Sequence, residues 1–259
     1  MQNRYAGDVG DYAKFVLLYE LIKNSSSNIV IGLNWYLSTD ETHNLDGKHV
    51  GYLKLPRDEK NEYCLCSPVV YSKLARIGLK PSRRNIRGLE KSKILPENTI
   101  YHNKLLSYER LQGKENRLKY RKKWVAAAFE KLKPADIIFF DQDNGIEVKS
   151  VKKTDLKAVK YCFHDEYSDC FKDGKSIILY NHRNRQPAVA NKNRILEIYK
   201  ILPGLKKIKV LTFHRGSARD FIILSQDRHV SLFNRTIASL TKEKWEGMFT
   251  NYSVGYKKS

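Results

Sequence analysis

Residues 135–150 read ADIIFFDQDNGIEVKS. The segment Asp136–Phe140 is rich in β-branched and aromatic side chains and runs straight into Asp141, as a strand buried on both faces does. Two carboxylates, an amide and a glycine follow: Asp141, Asp143, Asn144 and Gly145. In open α/β sheets ligands lie at the carboxyl ends of the strands, so chemistry is expected first at this strand end. A plainer reading makes Asn144-Gly145 a hairpin turn with Ile146–Ser150 as its return strand. The chemical reading is preferred because a simple turn needs no further acid set against the strand end.

Outward from this strand, the pattern alternates. Apolar spacing predicts an amphipathic helix over Val9–Asn24, then a strand over Ile29–Leu37. The polar stretch Ser38–Val50 reads as a loop crowded with Asp40, Glu41, His43, Asn44, Asp46 and His49, suited either to a ribose-binding acid or to metal ligands. Helices are expected over Ser67–Ile77, Tyr108–Leu132, His164–Phe171, Ala188–Leu202 and His229–Trp245, and strands over Thr99–His102 and Ser176–Asn181. Lys207–Phe213 and Asp220–Ser225 are two strands separated by six residues. A parallel pair needs a crossover of about a dozen residues or more, so these two form an antiparallel hairpin. The fold expected is a single α/β domain over residues 1–259: a doubly wound, mostly parallel sheet with a C-terminal antiparallel hairpin and a basic insertion around 80–123.

Charge narrows the partner. The 259 residues carry 48 Lys+Arg against 28 Asp+Glu, a formal +20, with positive clusters at Arg83–Lys93, Arg110–Lys123, Arg183–Arg194 and Lys206–Lys209. Such a surface favours polyanions, nucleic acid foremost. Hydrophobic content of 41% excludes a disordered chain, and no apolar run approaches the ~20 residues of a membrane span. No secretory pattern opens the chain, so a cytoplasmic location is expected, with the four cysteines as ordinary thiols.

A mostly parallel sheet ending in an antiparallel hairpin resembles the Rossmann-type methyltransferases that use S-adenosylmethionine. Within them the chain is most similar to the bacterial large-subunit ribosomal RNA adenine-N6 methyltransferases, which carry a Gly-Asn-His-Ala-Asp-Val-Leu-Lys-His segment near the N-terminus. Gly7–Phe15 (GDVGDYAKF) has a similar layout. The resemblance implies S-adenosylmethionine as cofactor, contacted by Lys14 and held by Asn34, Tyr36, Asp40 and Glu41. It matches Asp141 to that family's catalytic Asp. Trp35–Asn44 stands where that family has a glycine-rich loop, and Gln142-Asp143-Asn144 where it has two prolines and an aromatic. Lys14 is expected to matter to the cofactor and little to the fold, the apolar residues of its helix carrying the packing.

The residues themselves allow more than one chemistry. Asp141, Asp143 and Asn144 suit an exocyclic base amine, whose lone pair is freed when its protons are accepted by a carboxylate and a carbonyl. The same oxygens suit Mg²⁺, and Asp141, Asp143, Glu147 and Lys149 follow the order of carboxylates and lysine in many metal-dependent nucleases. A third reading is a non-catalytic nucleic-acid-binding protein on the same fold. His182, Arg183, Arg185 and Arg215, with Lys122 and Lys123, are the expected contacts to RNA or DNA phosphates, because the guanidinium fork matches phosphate oxygens.

Overall fold

The computed structural model describes residues 1–41, 47, 49–56, 61–183 and 188–255. In chain order the described elements are α1 (Val9–Lys23), β1 (Ile31–Asn34), α2 (Glu62–Cys66), α3 (Pro68–Gly78), α4 (Ile86–Lys91), β2 (Ile100–His102), α5 (Lys114–Leu132), β3 (Ile137–Phe140), β4 (Gly145–Ile146), β5 (Tyr161–Cys162), α6 (His164–Lys172), β6 (Ser176–His182), α7 (Ala188–Ile201), β7 (Ile208–Phe213), β8 (Arg219–Leu224), α8 (Val230–Leu240) and β9 (Phe249–Val254). A mostly parallel central sheet runs in the order β2-β1-β3-β6-β8-β7-β9. Strands β1, β2, β3, β6 and β7 share one direction, and β8 and β9 oppose it.

The apolar run of β3 is buried on both faces because helices cover both. Ile137 and Phe139 join a core with Phe15 of α1, Leu74 of α3 and Phe233 of α8. Ile138 and Phe140 join the opposite core with Trp124 of α5, Tyr167 of α6 and Ile195 of α7. This period-2 split is the strand geometry itself, successive side chains pointing to opposite faces.

Three expectations are corrected, and the hairpin alternative falls. Helix α1 is not amphipathic: it is buried on nearly every side, Asp11, Lys14 and Glu20 included, as befits a helix that is apolar around most of its circumference. Helix α5 begins six residues later than Tyr108, because Gly113 sits at φ +78°, outside helical space. Asn144-Gly145 is not a hairpin turn back onto β3; β4 pairs in parallel with β5 instead. The chain also ends in a strand that the pattern hides. The last helix stops at Leu240, and β9 lies antiparallel along β7 at the sheet edge, with Thr250 and Asn251 facing solvent.

Candidate active site

Asp8 caps α1, its carboxylate accepting from the backbone N–H of Gly10 at 2.8 Å and of Asp11 at 3.0 Å. One turn into the helix, Asp11 and Lys14 stand three residues apart and so share a face. Lys14 Nζ donates to Asp11 Oδ1 at 2.7 Å and to Asp141 Oδ2 at 2.5 Å. It also lies 4.9 Å from the centre of the Trp35 ring, a cation–π contact. All three charged groups are almost fully buried. Burial pushes the Asp141 carboxyl up to about 6 against the opposing pull of Lys14. The lysine is held above its ordinary value by its two carboxylates, which outweigh the burial that would lower it.

Beyond Asp141 the loop is tied to the start of the chain. Asp143 accepts from Gln2 Nε2 at 2.9 Å and pairs with the N-terminal amine of Met1, which also donates to the Asp141 carbonyl at 3.1 Å. Gln142 Nε2 donates to the Tyr180 carbonyl at 2.5 Å, and the Asn144 amide bonds the Lys160 carbonyl at 2.9 Å. Gly145 takes φ +117°, and a Cβ there would lie 2.2 Å from Asn181 Oδ1 and 2.9 Å from Asn181 Cα. Gly145→Ala should therefore cost about 1–3 kcal/mol and displace the 141–144 loop. Urea unfolding checks this, and an unchanged midpoint would refute it.

These groups line one cleft at the carboxyl edge of the parallel strands. Asp8, Asp11, Lys14, Asp141, Asp143, Tyr180, His182 and Arg219 are among its walls. It encloses about 200 Å³, or about 790 Å³ with its open mouth. Of the residues expected from the sequence, Lys14, His49, Asp141, Asp143, Asn144 and His182 meet here.

Others do not. Asn34 and Tyr36 face the opposite core: Asn34 bonds the His102 ring at 3.1 Å, and the Tyr36 hydroxyl donates to Glu166 at 2.9 Å. The period of β1 sets this for Asn34, since Leu33 takes the α1 side and its neighbour must take the other. Asp40 accepts from the Arg4 amide, and Glu41 is engaged by Arg4 and Lys160. Arg183 is bound to Asp220 at 2.9 Å and Arg215 to Glu62 at 2.8 Å, so neither is the free phosphate contact expected of it. Lys122 and Lys123 are exposed on α5, away from the cleft lining. His43, Asn44, Asp46 and Arg185 lie outside the described residues.

The nuclease-like set is also not assembled. Glu147 accepts from the His164 amide at 2.9 Å at the start of α6, and Lys149 is exposed; neither lines the cleft. Among the described residues no cluster of three His, Cys, Asp or Glu is placed to hold a metal ion. No helix among them is long and apolar enough to cross a membrane.

The residues that sequence reading missed are Asp8, Asp11, Gln142, Tyr180 and Arg219. Asp11 had a signal, the i,i+3 spacing to Lys14. Arg219 reaches the cleft only because β8 runs antiparallel beside β6, with Arg219 opposite His182.

No family model matches the chain, and no curated protein does. Among solved structures it is similar to a Legionella pneumophila protein described under the family model DUF519, at 10% identity and a TM-score of 0.44, over 98% of this chain and 99% of that one.

Proposed function

We propose that the protein is an S-adenosylmethionine-dependent, methyltransferase-like enzyme acting on a nucleic-acid base, with its reaction centre at Asp141. The observation that carries this reading is the meeting of Lys14 with Asp141. The two short segments that bear the family resemblance lie 127 residues apart in the chain and converge to 2.5 Å in one cleft. The parallel half of the sheet, closed by the antiparallel pair β7–β8, supports a Rossmann-type arrangement around it.

The lining suits the cofactor in charge. Asp8, Asp11, Asp141 and Asp143 give the cleft four carboxylates against the cations of Lys14, Arg219 and the Met1 amine, a balance that favours a positively charged sulfonium. Lys14, Asp8 and Asp143 would hold the cofactor, taking the place expected of Asn34 and Tyr36. When bound, it supplies an electrophilic methyl group.

This chain's own groups prepare the acceptor. An exocyclic base amine donates its N–H groups to the Asp141 carboxylate and to the Asn144 side-chain carbonyl, which frees the nitrogen lone pair. Lys14 fixes Asp141 in place, and low dielectric strengthens every contact there. Burial makes the carboxyl a better proton acceptor close to neutral pH than an exposed aspartate. Lys119, Lys122 and Lys123 on the exposed side of α5 offer phosphate contacts distant from the reaction centre.

Calorimetric titration of the protein with S-adenosylmethionine, and separately with Mg²⁺, tests the reading. One cofactor site is expected. Tight Mg²⁺ binding without cofactor binding would return the nuclease reading. Polynucleotide binding should weaken with salt, log K falling with log salt at a slope near −5 on duplex DNA if ~6 phosphates are neutralised. A slope near zero removes the polyanion partner.

A further inference from the structure

Arg219 opens β8 and is 5% exposed, yet it lines the cleft. Its Nη1 donates to the carbonyls of Arg215 at 2.9 Å and Ser217 at 2.7 Å. Among the described residues, Nε and Nη2 donate to no protein atom, and no carboxylate lies within ion-pair distance of the guanidinium. Every other nearly buried cation of the cleft is matched. Lys14 has two carboxylates, and the Met1 amine has Asp143. Asp8, whose carboxyl feels the Arg219 charge, caps the α1 amides and makes no ion pair with it; burial and Asp11 push that carboxyl up, and Arg219 only partly offsets them.

A buried guanidinium without a counter-charge is costly, and an anion from outside relieves that cost. The backbone around Arg219 leaves room for it to lie over the start of α1. A Cβ on Gly10 would come within 2.9 Å of Arg219 Nε, so glycine there keeps the guanidinium in the cleft wall. The free Nε–Nη2 edge is the planar fork that takes two oxygens of one group side by side.

We propose that Arg219 is the oxyanion anchor of this cleft, binding through Nε and Nη2 a carboxylate or phosphate carried by a nucleoside ligand. The assignment concerns the same cleft but does not depend on methyl transfer, since an anion can dock at Arg219 whatever reaction Asp141 supports. The oxyanion has two sources, the amino-acid carboxylate of the cofactor or the phosphate of a nucleotide.

Two matched pairs of probes separate them: S-adenosylhomocysteine against 5′-methylthioadenosine, and adenosine 5′-monophosphate against adenosine. In the wild type the member of at least one pair that bears the carboxylate or phosphate should bind tenfold or more tightly than the partner lacking it. In Arg219→Gln that advantage should fall to within about twofold, and Arg219→Lys should retain only part of it, having the charge without the fork. The pair that responds names the source. Should Arg219→Gln fail to fold, the wild-type melting temperature supplies the test, rising with the probe that bears the carboxylate or phosphate more than with its partner. An equal response of wild type to both members of each pair, binding of none of the four probes, or an advantage that survives in Arg219→Gln would each overturn the assignment. A wild type that favours the nucleotide phosphate and ignores S-adenosylhomocysteine would uphold Arg219 while removing the methyltransferase reading.

Discussion

For a methyltransferase of the kind proposed, Asp141→Asn should lower turnover by ~100-fold or more and leave S-adenosylmethionine affinity nearly unchanged. The substitution keeps the shape and one acceptor oxygen but removes the charge. What is lost is an interaction strongest in the transition state, when the amine nitrogen becomes cationic, so the loss falls on turnover rather than on binding. Lys14 keeps Asp11 as a partner and stays charged. The wild-type rate should rise with pH as the carboxyl, pushed up to about 6 by burial, ionises. The same shift has a stability sign. Folding raises this pKa above its usual 3.8, so the folded state binds the extra proton between about pH 4 and pH 6. The contribution of Asp141 to stability therefore declines as pH rises through that window and is level above it. Initial rates of labelled methyl transfer to RNA and DNA from pH 5 to 8 check both halves. Full turnover in the variant would place the reaction elsewhere.

Lys14→Met should destabilise the fold by about 3–5 kcal/mol at neutral pH, although methionine fills much of the same volume. It strands two buried carboxylates, Asp11 and Asp141, which then remain ionised only at high cost or take up a proton. The loss should shrink as pH falls and the stranded acids protonate. Urea unfolding at pH 5 and pH 8 measures it. This reverses what the sequence alone suggests, that Lys14 serves the cofactor and little else. A helix buried on one face would have let Lys14 extend into solvent; α1 is enclosed, so the lysine must be paired to be there at all.

The contrast shows where sequence reading succeeds. The run Ile137–Phe140 is legible because burial on both faces leaves an unbroken apolar signature, and the β7–β8 hairpin because its connection is too short for a crossover. Asp141 is legible because it terminates such a run. The partner choices are not, since they are made by register. Asn34 looks like a cleft residue at the end of β1, but strand alternation turns it to the α5 side. Arg183 and Arg215 look like free basic loop residues until β8 brings Asp220 beside one and α2 brings Glu62 beside the other. Arg219 has no local pattern to mark it, because its place in the cleft follows from an antiparallel neighbour contributed 37 residues downstream of His182. Strand β9 escapes because an edge strand with polar outward residues has little apolar pattern to show.

A double-mutant cycle between Lys14 and Asp141 tests most directly whether the two segments form one buried unit. Unfolding free energies of wild type, Lys14→Met, Asp141→Asn and the double variant give the coupling without reference to any reaction. If the pair is in contact as found, the double variant recovers part of the loss seen in Lys14→Met, with a coupling of about 1–3 kcal/mol at pH 8. Effects that simply add, within about 0.5 kcal/mol, would mean that Lys14 and Asp141 do not meet, and the cleft built on their meeting would not stand.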